Sequence, residues 1–262
     1  MRLTLHELGK LATTRKLAML TCYDATFAQV LDAAGVDMIL VGDSLGMTVQ
    51  GHDSTIPVTV DDIAYHTRCV ARGAARAWIV ADMPFGSYQR APEQALDNAV
   101  RLLQAGAQMV KLEGGAEMAP TVRFLVERGI PVCGHIGLTP QHVHVFGGYR
   151  VQGRGHDGDR VHAAARAIEE AGAAMAVIEA VPELLARSIA TTARLLTIGI
   201  GGSAACHGQV LVLHDALGVG AGKRPRFVKD FLAGSGSVEE AIRRYVGDVQ
   251  AGRFPGPEHV YA

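Results

Sequence analysis

Four apolar runs of this chain end directly in a carboxylate: MILVG-Asp43, WIVA-Asp82, MVKL-Glu113 and MAVI-Glu179. Any one of these acids could simply cap the helix that follows it, since Asp and Glu are favoured near helix N-termini. Four of them at strand ends suggest more. In a parallel α/β barrel the C-terminal ends of the strands converge on one rim, which is where active sites of that architecture lie. Uncompensated acids gathered there would repel one another in a partly desolvated pocket. A hard cation removes the repulsion, and oxygen-only ligands select Mg²⁺ over zinc.

Other reactive side chains share the rim. Ser44 follows Asp43, Lys111 precedes Glu113 by two residues, and His135 ends the run PVCGH. Strand alternation puts Lys111 and Glu113 on one face, toward the barrel axis. A lysine aimed inward among acids either faces a substrate anion or forms an internal ion pair with Glu113 or Asp82. His135 fits equally a hydrogen-bonded core histidine or a functional one.

The elements that must position these residues are legible as short Val/Ile/Leu-rich runs between helical stretches. Candidate strands are Leu17–Cys22, Met38–Val41, Trp78–Ala81, Met109–Leu112, Val132–His135, Ala174–Ile178, Leu195–Ile200 and Gln209–Leu213. They are continuously apolar rather than alternating, as strands covered on both faces must be. Candidate helices are Ala25–Ala34, Val60–Ala71, Pro92–Gln104, Val161–Ala171 and Pro182–Ala190, with Pro near a first turn or Gly just past an end. The segments AAGVDMI, QAGAQMV and EAGAAMA each read as a helix end, a glycine cap and the next strand. Eight strand–helix alternations in 262 residues predict a single (β/α)8 TIM barrel, one domain over residues 1–262. Residues 141–159, polar, glycine-rich and histidine-bearing, are too long for an ordinary connection and read as an active-site lid.

Composition narrows the function classes. Lys plus Arg is 25 against 26 for Asp plus Glu, so the electrostatic footprint of a nucleic-acid binder is missing. The basic stretch Lys223–Lys229 is short and reads as a solvated surface or an inter-subunit contact. Cys22, Cys69, Cys133 and Cys206 are far apart with no CxxC, which fits a reducing compartment rather than a disulfide framework or thiolate zinc site. The N-terminus lacks a secretory pattern and no run of 18 apolar residues occurs, so a cytoplasmic, non-membrane protein is expected. His142, His144 and His156 share no strand or helix that would gather them around a metal. Trp78 reads as core or subunit packing.

The segments VGDSLGMTVQGHDSTIPVT, VADMPFGSY, VKLEGG, VCGHIGLTPQ and IGIG followed by GQVLVLHDALG closely resemble the ketopantoate hydroxymethyltransferase family, in the family's order from about Thr21 to Gly218. The resemblance implies a barrel of the phosphoenolpyruvate/pyruvate type. It implies transfer of a one-carbon unit from 5,10-methylenetetrahydrofolate to 2-oxoisovalerate, and assembly as a homo-oligomer, commonly a decamer. It matches Asp43 and Asp82 to metal-ligand aspartates and Glu113 to an acid near Mg²⁺. Asp43, Ser44, Asp82, Lys111 and His135 match the keto-acid site, and Glu179 the general base. The chain departs from the family after IGIG, where His207 stands in place of a usual acid, a change that bears on cofactor affinity if that acid helps hold folate or a neighbouring loop. After Glu179 it reads Ala-Val-Pro where Gly-Val-Pro or Cys-Val-Pro is common. Two alternatives share these features: a Mg²⁺-dependent carbon–carbon lyase of the isocitrate-lyase type, and a non-catalytic keto-acid-binding relative. The lyases use a catalytic cysteine in a KKCGH-like loop, which this chain lacks.

Overall fold

The structure, a computed structural model, describes residues 1–220 and 224–262. Eight parallel strands close into a barrel in sequence order: β1 (Leu17–Thr21), β2 (Met38–Val41), β3 (Trp78–Asp82), β4 (Met109–Glu113), β5 (Val132–Gly137), β6 (Met175–Glu179), β7 (Leu196–Ile200) and β8 (Gly208–Leu211). Every expected run forms a strand, with ends shifted by at most two residues. Nearly all strand residues are buried, as continuous apolar runs between a filled barrel and a helical coat require.

Local chemistry fixes the helices. Asp24 caps Ala25–Ala33 by accepting the Phe27 N–H at 2.9 Å, and Thr59 with Asp62 forms a capping box at the start of Val60–Gly73. Pro92 opens Pro92–Gln104. The thrice-repeated segment is one turn used three times. Gly35, Gly106 and Gly172 follow the helices that precede β2, β4 and β6, all with positive φ (88°, 115° and 96°). Each delivers the chain to a buried methionine, Met38, Met109 or Met175, the first residue of its strand. Alternation points these three inward with Gly208 of β8, one layer of three side chains and a glycine from the even strands.

Two helices lie outside the strand–helix pattern read from sequence. Leu5–Ala12 begins with its own Thr4/Glu7 capping box. Val238–Gln250 packs over the β8–β1 seam, its buried Tyr245 Oη lying 2.8 and 2.9 Å from the carbonyls of Met19 and Gln209. The barrel also departs from a full set of crossovers, because residues 201–207 carry β7 directly to β8 without a helix.

That short crossover relocates His207. It lies just before β8, at the end of the barrel opposite the acidic rim, where Nδ1 accepts the Thr197 N–H at 3.1 Å. Lys16 Nζ seals the same turn by donating to the carbonyls of Ala205 and Cys206. Of the two roles open for this position, the geometry favours the neighbouring loop, because a residue entering a parallel strand stands a strand's length below the rim.

No helix among the described residues is long and apolar enough to cross a membrane. Trp78 is buried at the start of β3, as core. The thiols of Cys22 and Cys133 are buried, and loss of hydration pushes both up to about 12. Cys206 is raised for the same reason, whereas Cys69 is half-buried on the surface of its helix. A disulfide reagent at pH 8 should therefore titrate at most Cys69 rapidly in the native protein and all four thiols in denaturant. Rapid modification of Cys133 would show that the barrel interior is open.

Candidate active site

The rim residues meet in one cavity of about 210 Å³ at the C-terminal end of the barrel. Its lining follows from alternation. The even strands contribute Leu40, Lys111, Val177 and Val210, and the odd strands contribute Thr21, Asp82, His135 and Ile200. Glu113 and Glu179 stand two residues beyond Lys111 and Val177 on their strands, and Asp43 and Ser44 follow β2. All seven residues singled out from the sequence line this cavity. The charged side chains of its floor come from β2 to β6 and the residues just past them, β7, β8 and β1 supply a mainly apolar arc, and Asp215 after β8 adds one more carboxylate.

Lys111 is the hub. Its Nζ lies 2.8 Å from Asp82 Oδ1 and 3.4 Å from His135 Nδ1, with the side chain only 5% exposed. The internal ion pair weighed for this lysine exists, and the lysine also faces the cavity. Burial works against its charge, but Asp82, Glu113 and Asp43 outweigh that cost and hold its pKa above the ordinary value. The same acids disturb one another. Loss of hydration, then repulsion from Asp82 and Glu113, raises Asp43 to about 8. Glu113 goes the other way: contacts with His135, Lys111 and the Gln141 N–H overcome its burial and lower its pKa.

His135 joins two carboxylates. Nδ1 lies 3.2 Å from Glu113 Oε1 and Nε2 lies 3.1 Å from Glu179 Oε2. Burial and the Lys111 charge oppose its protonation, yet the two carboxylates lift it to about 9. These contacts are close but poorly aligned, because Asp82 Oδ1, Glu113 Oε1 and His135 Nε2 are all buried without a hydrogen-bond partner of good geometry. Glu179 stands apart from the other acids, 14% exposed, with Oε2 on His135. Ala180 behind it takes φ 46°, and its N–H donates to Ile200 O at 2.9 Å. Left-handed backbone costs a residue with a Cβ roughly 1 kcal/mol, so alanine in the family's frequent glycine position is a strained choice rather than a neutral one.

Three residues behind the rim were not singled out from the sequence. Gln141 is buried, donates through Nε2 to Asp43 Oδ2 (2.9 Å) and Met83 O (3.0 Å), and gives its backbone N–H to Glu113 Oε2 (2.9 Å). Tyr88 Oη donates to Gln141 Oε1 at 2.6 Å and accepts the Glu113 N–H at 3.1 Å. Tyr23 Oη pairs with Ser44 Oγ at 2.8 Å. Gln141 and Tyr88 stand at the ends of the motifs GLTPQ and MPFGSY, whose only signal was the resemblance itself.

The expected lid, residues 141–159, is thus pinned at its start by Gln141, while Gln152 N–H donates to Ala180 O at 3.0 Å. Within it, Tyr149 lines the cavity, and His144 and His156 are exposed. The basic stretch keeps Arg224 and Arg226 exposed, as a solvated surface requires. Lys223 falls outside the described residues and Lys229 pairs with Asp248 at 2.8 Å, but Pro225 and Phe227 form cavity wall because the chain turns inward between its charged residues.

The donor set bears directly on a metal. Among the described residues no three His, Cys, Asp or Glu side chains are disposed as a ready metal cage, so Asp43, Asp82 and Glu113 share a cavity without forming a three-ligand cluster. Oxygens of Asp82 and Glu113 that have ionic neighbours but no well-aligned hydrogen bond, together with the repulsion felt by Asp43, nevertheless fit Mg²⁺. That ion is usually held by one or two carboxylates, with substrate oxygens and water completing its octahedron.

A model of the ketopantoate hydroxymethyltransferase family matches residues 2–257. A Dechloromonas aromatica protein named 3-methyl-2-oxobutanoate hydroxymethyltransferase is 59% identical, covering 100% of this chain and 97% of its own length. A Chromobacterium violaceum protein of the same name is 58% identical, covering both chains in full. Among solved structures, a phosphoenolpyruvate phosphomutase from Streptomyces platensis subsp. rosaceus superposes with a TM-score of 0.61 at 15% identity, over 81% of this chain and 82% of its own. A 2,3-dimethylmalate lyase of the PEP mutase/isocitrate lyase superfamily gives 0.56 at 16% identity, over 76% and 72%. At these identities the two share the barrel fold with this chain.

Gln141 ties two carboxylates, a tyrosine and a backbone carbonyl together. Gln141→Leu should destabilise the protein by about 1–3 kcal/mol for each buried partner left unsatisfied, read as a lower urea midpoint. An unchanged midpoint would mean that the bridge carries no stability.

Proposed function

Because this chain belongs to the ketopantoate hydroxymethyltransferase family, we propose that it converts 3-methyl-2-oxobutanoate (2-oxoisovalerate) to 2-dehydropantoate with 5,10-methylenetetrahydrofolate as the one-carbon donor. One observation supports the residue roles: a single cavity sets the buried cation Lys111 among Asp43, Asp82 and Glu113, while Glu179 stands clear of them.

C3 of the keto acid loses a proton, and the resulting enolate carbon bonds to the donor's methylene carbon. The bonds from that carbon to the two folate nitrogens are replaced by the new carbon–carbon bond and a hydroxyl from water, which releases tetrahydrofolate. Asp43, Asp82 and Glu113 are the residues that would hold Mg²⁺. When bound, the ion supplies Lewis-acid stabilisation of negative charge on the keto-acid oxygens.

The remaining roles belong to the chain itself. Lys111 neutralises substrate charge from a position already fixed by Asp82. Ser44, oriented by Tyr23, and His135, held between Glu113 and Glu179, supply directional hydrogen bonds. Glu179 takes the C3 proton, and its contact with His135 holds the carboxylate in place. The apolar arc of Val177, Ile200 and Val210 suits the branched aliphatic end of the substrate. A lyase using a cysteine finds no support here, because the Cys133 thiol below this floor is held protonated.

Glu179→Gln should retain keto-acid binding by calorimetry but lose exchange of the C3 proton for deuterium by about 10²-fold or more, followed by NMR in D₂O. Exchange at the wild-type rate would remove Glu179 from the base role. Because His207 sits at the far end of the barrel, His207→Asn should leave the donor KM within about twofold; a large rise would show coupling through β8.

A further inference from the structure

Above its charged floor the cavity changes character. The mouth is walled by Val212, Pro225 and Phe227 from the β8 side, and by Met47 and Tyr149, whose Oη lies 3.4 Å from Met47 Sδ. Phe227 is seated against the end of β7, where Gly201 has φ 64° and a Cβ would stand 2.6 Å from the ring. One charged side chain interrupts this collar: Asp215, half-buried in the short helix Leu213–Ala216 that follows β8. Among the described residues no donor hydrogen-bonds its carboxylate, and it does not cap its own helix. The cation nearest in influence, Arg224, is committed elsewhere, with Nη1 on Asp230 at 3.1 Å and Nη2 on the Gly218 carbonyl at 2.8 Å. Burial raises the Asp215 carboxyl and Arg224 offsets this only in part, the electrostatic sign of an acceptor without its donors.

A carboxylate that finds no donor among the described residues, set in an apolar slot, selects a flat ligand that carries paired N–H donors. The 2-amino-4-oxopyrimidine edge of a reduced pterin presents the N3–H and one 2-amino N–H side by side, matching the two oxygens of a carboxylate. A second keto acid, or the anionic glutamate end of folate, would be repelled at the same place. We propose that Asp215 binds the pyrimidine edge of the folate donor, with Phe227, Pro225 and Tyr149 enclosing the pterin at the cavity mouth. This assignment rests on the folate-dependent activity proposed above. It orders the site vertically, with the keto acid on the charged floor and the pterin over it, so the methylene carbon is delivered from the solvent side. A neighbouring cavity of about 360 Å³ also borders His135, but its charged groups are satisfied within the protein. There Glu117 accepts the Gly115 N–H at 2.8 Å and Arg160 pairs with Asp157 at 2.6 Å.

The test is a binding cycle with tetrahydrofolate and its 2-desamino-2-methyl analogue, measured by calorimetry on wild type, Asp215→Asn and Asp215→Ala. Wild type should prefer tetrahydrofolate over the analogue by at least about tenfold, as expected for charge-assisted hydrogen bonds. Asp215→Ala should bind tetrahydrofolate at least about tenfold more weakly and lose most of that preference. Asp215→Asn, nearly isosteric but with an amide donor facing a ligand donor, should not restore it. A preference that survives in Asp215→Ala, or wild type that binds neither ligand, overturns the assignment. Wild-type C3 proton exchange, which needs no folate, tests the parent activity separately. Exchange present with the preference unaffected by Asp215 defeats only the pterin site, whereas no exchange and no product defeats the activity itself.

Discussion

A lysine ammonium buried near the axis of a barrel is the constraint around which this site is arranged. Lys111 cannot stay charged there without compensation, and removing a cation from water costs far more than one hydrogen bond returns. Asp82 meets it at 2.8 Å, while Glu113 and Asp43 add the remaining attraction. Gathering three acids creates the opposite problem, visible as the raised pKa of Asp43. Gln141 relieves part of it by donating to Asp43 and Glu113 at once, and Tyr88 orients that amide. His135 then spans Glu113 and Glu179. Each element of this network answers a charge placed by another: Asp82 Oδ1 faces Lys111 and Glu113 Oε1 faces His135, close but without well-aligned hydrogen bonds.

The barrel makes such a network affordable by dividing its rim. Strands β2 to β6 carry charge, whereas β7, β8 and β1 present mainly aliphatic side chains. Charged ligand groups and a hydrocarbon end can then be held at once in a small volume. The missing crossover helix between β7 and β8 lies on the apolar side, where Phe227 fills in from the segment after β8 and leans on Gly201. The wall above the aliphatic arc is therefore built from chain far from the strands in sequence, and it brings Asp215 to the mouth.

Much of this was legible in the residues. Apolar runs that stop at Asp43, Asp82, Glu113 and Glu179 mark strand ends, because the rim is where a polar side chain first meets polar partners instead of the packed barrel interior. Period-two alternation then paired Lys111 with Glu113. Glycine caps at 35, 106 and 172 announced the returns to β2, β4 and β6. The quoted motifs carried the family. Less legible were Gln141 and Tyr88, polar residues in loops whose partners lie 98 and 53 residues away along the chain. The place of His207 was not legible either, because only the short crossover sets it at the end of the barrel opposite the acids.

Strand positions, the order of the acids and the family therefore follow from the chain alone, since periodicity, helix caps and motif spacing are local properties. Which acids touch Lys111, which carboxylate stands free, and which loop residues wall the cavity follow from closure of the barrel. Closure sets strands far apart in sequence side by side, and buried charges are governed by distances across that ring rather than by spacing along the chain.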